Sequence, residues 1–333
     1  MTPRERVMTL LQSDDAGILV SFWRHFYADE FDLSKYISAM LRFYETYRWD
    51  FLKLNPRSSY HNEAWGVVYQ PSDHPIRKPV LVHTPIQKLD DWLKVIRPIP
   101  PDTGVFREQL DAIQEIRRQL GPDVPIVQTL FSPLEVMSRF LPKKRDLAVF
   151  LRHEHERFVD IIQIITDVLT AFAERCLAAG ADGIFFATTW ATKETSDAVF
   201  ETFQKPYDLQ LLGKIRDRAR MIILHVCGPQ PRVLEMLDYP FDMIHWDWTN
   251  PENTAFADIE NRDKRPIIGG VPGKGLLQYG PPYRVYDYIE RAIHPARWVV
   301  SAECTYPPET PEENLWAVRK AVADLRGEIW PGS

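Results

Sequence analysis

The sequence predicts an α/β fold of the (β/α)8 TIM-type barrel class, and three observations predict it. Eight short runs rich in apolar and β-branched residues recur along the chain, nearly all separated by segments of helical periodicity. Two of these runs, MIILHV and RPIIGGV, are apolar throughout, as parallel strands covered on both faces must be. Eight strands alternating with helices over 333 residues favour a barrel over a doubly wound sheet.

The first strand is expected at Gly17–Trp23, followed by a periodic helix at Ser34–Tyr47 and a second strand at Trp49–Leu54. From Asn55 to Ile99 the pattern breaks. This stretch reads as an insertion after the second strand, with a hairpin built on AWGVVYQ and KPVLVHT. A helix at Phe106–Leu120 leads to a strand at Val124–Leu130, and a long helix spans His153–Ala179. ERCLAAGADGIFF then reads as a helix end, a Gly180 cap, a tight turn and a strand at Asp182–Ala187. A helix at Ala198–Arg218 precedes strands at Met221–Val226, Met243–Trp246 and Pro266–Val271. A helix at Tyr283–Ile293, a strand at Trp298–Ala302 and a helix at Glu312–Leu325 complete the set. No repeat, low-complexity segment or linker interrupts it, so residues 1–333 are read as a single domain.

Composition narrows the function classes. With 45% apolar and 26% charged residues the chain is not of the disordered type. Forty basic against 46 acidic side chains, a net charge of −6, argue against nucleic acid or an anionic membrane as partner. The most apolar stretch, Ile161–Ala187, is broken by Asp167, Glu174, Arg175 and Asp182, which excludes a spanning helix. MTPRERVMTLLQ lacks the long apolar core of a signal peptide, so a soluble, cytoplasmic protein is expected. Twenty-seven prolines against 15 glycines suggest stiff loops, and three cysteines are too few for a disulfide framework.

A barrel places its chemistry at the C-terminal ends of its strands. The strongest signal there is LHVCG. In extended backbone His225 and Cys227 point to one side, and imidazole nitrogen and thiolate sulfur are both good zinc ligands. Alone the pair is weak, and such a pair is more often a buried histidine beside a core thiol than a metal site. Cys304, which follows the last strand 77 residues later, would open onto the same mouth. A His-Cys-Cys set leaves one position of a tetrahedral zinc free, the arrangement of a catalytic site, and would favour the thiolate form of an incoming thiol. Cys176, in the helical AERCLAAGA, reads as a core thiol. His153 and His155 in HEHERF are two apart, diverge on a helix and read as a solvated face. Neither a G-x-x-x-x-G-K-[ST] loop, a G-x-G-x-x-G fingerprint nor a G-x-S-x-G elbow is present.

LHVCG, RPIIGGVPGKG and SAECTYPPETPEENLWAVRKAV, with weaker matches in FFATTWATKETSDAVFETFQKPY and RSSYHNEAWG, carry a resemblance over nearly the whole chain. The chain resembles the uroporphyrinogen decarboxylase superfamily, whose other large branch holds zinc-dependent methylcobamide:thiol methyltransferases. The resemblance implies a TIM-type barrel and, on the methyltransferase branch, zinc on His225, Cys227 and Cys304. It implies a small-molecule methyl donor and acceptor and a corrinoid as substrate. A D-x-H-x-x-G corrinoid-binding motif is absent, so the corrinoid would be free or carried by a separate protein. A homodimer is implied by the resemblance alone. The decarboxylase branch is metal-free and grips carboxylates with two N-terminal arginines. Arg24 in FWRHFYADEF matches the first, but Ala28 stands where the second would be. NPRSSYHNEAWG lacks the expected aspartate, and Cys304 falls where that branch has a histidine. A zinc-dependent methyltransferase therefore leads, with porphyrinogen decarboxylation as the alternative and a non-catalytic scaffold as the second.

Other mouth residues keep two readings. His25 is a proton donor or a packed wall residue; Asp247 is a substrate or ligand-orienting contact or a helix N-cap. Glu303 is a fourth ligand, or alternation turns it away. Tyr60, His61 and Asn62 would close over the mouth, and Trp190 and Trp248 suit a flat substrate or ordinary packing.

Overall fold

The computed structural model describes residues 1–13, 17–153, 155–292 and 297–330. Ile293 and the side chains of His153 and His155 lie outside the described residues. Eight parallel strands form one curled sheet, with helices outside it: β1 (Leu19–Val20), β2 (Leu52–Leu54), β5 (Ile126–Phe131), β6 (Gly183–Thr188), β7 (Met221–Val226), β8 (Met243–Trp246), β9 (Ile267–Val271) and β10 (Trp298–Ala302). They are ordered β1-β10-β9-β8-β7-β6-β5-β2, so the two chain-first strands are the flanks that meet at closure. Each falls within or against its expected run, which follows from burial: the eight strands are mostly apolar, and every residue in them but Phe131 is buried.

The closing seam differs from the expected ladder. β1 and β2 are far shorter than Gly17–Trp23 and Trp49–Leu54, because Asp50 spends its side chain on the seam. Its amide donates to the Val20 carbonyl (2.9 Å), and its carboxylate accepts from the Val20 amide (2.7 Å). Ser21 Oγ donates to the Phe51 carbonyl (2.8 Å). Asp50 is fully buried, and Arg6 and Arg326 neutralise it there, as a buried carboxylate requires.

Inward-pointing Leu19, Phe51, Val127, Phe185, Ile223 and Val299 fill the barrel. The helix Pro3–Gln12 closes its N-terminal end, with Val7 and Leu10 packed on that core and Arg4 paired with Asp182 (2.6 Å). The insertion holds the expected antiparallel hairpin, β3 (Val68–Gln70) with β4 (Val80–His83), flanked by helices Tyr60–Glu63 and Leu89–Val95. The helix expected at Ala198–Arg218 is interrupted: Phe200–Gln204 winds as a π turn directly before Pro206. Proline has no N–H to continue an α ladder, so the turn widens at that point. Among the described residues no helix is long and apolar enough to cross a membrane.

Candidate metal centre

Strand parity sets the site. His225 continues the inward row of Met221 and Ile223 on β7, and Cys227 follows two residues later just past the strand end. Gly228 then turns the chain at φ +118°, where a Cβ would press on Thr192 at 3.0 Å. On β10 strict alternation from Val299 would aim residue 303 inward. The chain bends over residues 303–305 instead, and Cys304 enters the barrel.

The three side chains meet. Cys227 Sγ lies 3.7 Å from Cys304 Sγ, and Cys304 Sγ lies 3.6 Å from His225 Nε2. The three ligand atoms are all within 4.8 Å of one another, and among the described residues no other His, Cys, Asp or Glu cluster of three is placed to hold a metal. Tetrahedral zinc, with Zn–S of about 2.3 Å and Zn–N of about 2.1 Å, requires S···S of about 3.8 Å and N···S of about 3.6 Å. The donor set fits the ion in chemistry, and the two edges at Cys304 match that spacing, while His225 and Cys227 lie within 4.8 Å of each other.

The supporting groups also fit. His225 Nδ1 lies 3.3 Å from the His245 carbonyl, so that nitrogen donates and Nε2 keeps its lone pair toward the sulfurs. His245 stacks on His225 at 4.5 Å, and its Nε2 donates to the Ala302 carbonyl (2.9 Å). One residue thus braces both ligand-bearing strands. Burial, then the nearby His225, lowers its pKa to about 3, so it stays neutral. The hydrogen bond from Cys227 holds the Cys304 thiol well below its usual range, and Cys227 is pushed up in consequence.

Two connected chambers share these thiols, an outer one of about 930 Å³ and an inner one of about 330 Å³. His25 borders both; its Nδ1 is 3.1 Å from the buried Glu30 carboxylate, and its ring stacks on Tyr27 at 5.0 Å. Asp247 borders the outer chamber, but its Oδ1 accepts from the amides of Thr249 and Asn250 and from the Thr249 hydroxyl, as a turn cap does. Glu303 also borders that chamber, with its carboxylate held by the Gly273 and Lys274 amides and outside the ligand triangle. Burial pushes its pKa up.

The residues expected to touch substrate disperse. Tyr60 lines the inner chamber, its hydroxyl donating to the Thr129 carbonyl (2.7 Å). Asn62 is buried and donates to the Val136 carbonyl (2.8 Å), bracing the insertion. Arg24 donates to the Pro308 carbonyl (3.1 Å) and lies over Phe26, outside both chambers. Trp190 is buried under Arg145, and Trp248 packs on Phe256 beside Gly270; neither borders the two chambers at the thiols. Cys176 is in the core, as expected.

Sequence reasoning missed two features. Lys53 shares the inward parity of Phe51 and lies buried in the barrel, where burial lowers its pKa to about 7 against the pull of Cys304. A lysine inside the apolar LKL run was the signal. Glu135 is fully buried, and although burial opposes its charge, Arg139 and Lys144 hold its pKa down to about 2. Thr189 donates to it as well.

Comparison with known proteins adds a context. The family model described as uroporphyrinogen decarboxylase (URO-D) matches residues 26–325. The chain is similar to the methylcobamide:CoM methyltransferase MtaA of Methanosarcina barkeri, 24% identical over 222 residues, 66% of this chain and 63% of that protein. The match thus spans less than two thirds of that relative. It is also similar to a uroporphyrinogen decarboxylase of Solibacter usitatus, 26% identical over 254 residues, 74% of this chain and 72% of that one. Among solved structures, a methyltransferase from Methanosarcina mazei aligns with a TM-score of 0.83 at 21% identity, covering 98% of this chain and 99% of its own. That likeness is one of fold.

Proposed function

The chain belongs to the uroporphyrinogen decarboxylase family, and on that premise we propose that it is a zinc-dependent methyltransferase moving a methyl group between a corrinoid and a thiol or related acceptor. The observation that carries this reading is the triangle of His225, Cys227 and Cys304, its two edges at Cys304 spaced as tetrahedral zinc requires and all three residues bordering the inner chamber. Zinc held there would leave one ligand position open and favour the thiolate form of an incoming thiol. The names of the methylcobamide:CoM methyltransferase relatives support the corrinoid, and the name of a methylated-thiol–coenzyme M methyltransferase relative supports the thiol.

The chain's own residues have definite parts in this proposal. His25, oriented by Glu30 and bordering both chambers, accepts the thiol proton. His245 keeps the His225 ring turned with Nε2 toward the thiols. Asp247 and Glu303 act on the rim, fixing the Thr249–Asn250 and Gly273–Lys274 turns. The acceptor sulfur bonds to the methyl carbon as the carbon–cobalt bond breaks, the electron pair remaining on cobalt. The outer chamber, at about 930 Å³, takes in the methyl-bearing face of the corrinoid.

Metal-free decarboxylation is the second reading, raised by the decarboxylase relatives. It leaves the thiol pair without a part, and Arg24 is turned onto the Pro308 carbonyl. The test is the absorption change of methylcobalamin on demethylation, followed with a panel of thiols alongside metal analysis. Thiol- and zinc-dependent demethylation is expected. An active, fully metal-free decarboxylase would overturn the proposal; absence of both activities together with a stable protein partner would favour a scaffold.

A further inference from the structure

Lys53 is an anomaly of the barrel interior. A buried ammonium is costly unless an anion meets it, and buried lysines are accordingly paired. Lys53 is 3% exposed, and its Nζ donates to Asn55 Oδ1 and otherwise faces two neutral rings, Phe185 at 4.4 Å and Trp23 at 5.3 Å. Among the described residues lining the inner chamber there is no aspartate or glutamate. The other cations there are accounted for: Arg139 and Lys144 are paired with Glu135, and Lys78 comes from the exposed hairpin loop. Lys53 has no such partner, and it shares its chamber with His225, Cys227 and Cys304.

We infer that Lys53 is the countercharge of the metal–thiolate centre, balancing the negative charge that a thiol substrate adds when it joins His225, Cys227 and Cys304 as a thiolate. The inference rests on the metal-centre reading above. A divalent ion with two cysteine thiolates and a neutral imidazole carries no net charge, and a third thiolate leaves one negative charge inside the barrel. That charge would be poorly solvated there; it favours the ammonium form of Lys53 against burial, and an ammonium in the same chamber stabilises it far more than water-exposed lysines could. The competing role, anchoring an acidic group of the substrate itself, would make Lys53 matter for acidic thiols alone.

The test uses protein loaded with Co²⁺, whose sulfur-to-cobalt absorption reports thiolate binding without turnover. A neutral thiol, 2-mercaptoethanol, and an acidic one, 3-mercaptopropionate, are titrated at fixed pH into the wild type, Lys53→Met and Lys53→Arg. Lys53→Met is expected to keep one Co²⁺ and to bind both thiols about 10- to 100-fold more weakly, while Lys53→Arg recovers most of the affinity. Where Lys53→Met does not fold, Lys53→Gln, which retains an amide for Asn55, carries the same test. Loss confined to 3-mercaptopropionate overturns the inference in favour of an acid anchor, and unchanged binding of both thiols overturns it outright. A wild-type protein that takes up no cobalt, or gives no thiol-dependent band, removes the metal centre and this inference with it. That outcome is distinct from a normal wild type with an indifferent variant.

Discussion

Replacing Cys304 by alanine deletes one corner of the ligand triangle and leaves His225 Nε2 and Cys227 Sγ as the remaining donors. Binding of structural zinc by four ligands contributes about 10–16 kcal/mol, so one ligand accounts for roughly 3–4 kcal/mol. At about 1.4 kcal/mol per tenfold, zinc affinity should fall roughly 10²- to 10³-fold. Cys304 is only partly buried and lies past the end of its strand, so the variant should melt within a few degrees of the wild type. Competition with a chromophoric chelator measures the affinity. Cys176→Ala is the control: it sits in the core, should lose about 1 kcal/mol of stability and should keep its zinc. A Cys304→Ala protein that holds zinc as tightly as the wild type, or a Cys176→Ala protein that loses it, would refute the assignment.

Three further outcomes follow from the fold. Glu135→Gln removes a buried carboxylate whose folded pKa is about 2 against an ordinary value of 4.5, which corresponds to about 3 kcal/mol. Because the folded pKa is depressed, that stability is present above about pH 4.5 and fades toward pH 2. The gap in melting temperature between wild type and variant should therefore narrow over that window, and a constant gap would contradict the ion-pair account. Asp50→Ala removes the staple between β1 and β2 and strands Arg6 and Arg326, so chemical denaturation should show a loss of about 3–5 kcal/mol. Gly270→Ala forces a Cβ to 2.6 Å from the Trp248 ring at φ +100°, and should destabilise by about 1–3 kcal/mol without lowering zinc content.

The strands were legible because covering both faces leaves no room for polar residues, as in MIILHV. Where a side chain replaced the ladder, legibility failed: nothing local in WDF announces that Asp50 will bond Val20 and shorten both strands. His225 and Cys227 could be paired from strand parity, and Cys304 from its place after the last strand. Trp190, Trp248 and Arg24 occupy strand ends too, yet once the chain leaves the strand its parity no longer fixes direction, and these side chains turn into packing. Lys53 and Glu135 escaped for the opposite reason. The lysine inside LKL is visible but its surroundings, Phe185 and the inner chamber, are not, and Lys144 and Thr189 reach Glu135 only in three dimensions.

X-ray absorption at the zinc edge, before and after adding 2-mercaptoethanol, reads the centre itself. One zinc per chain with two sulfur neighbours at about 2.3 Å, rising to three with the thiol, is the result expected of His225, Cys227 and Cys304 with an open position. Zinc well below one per chain, or a sulfur count that stays at two, would contradict it.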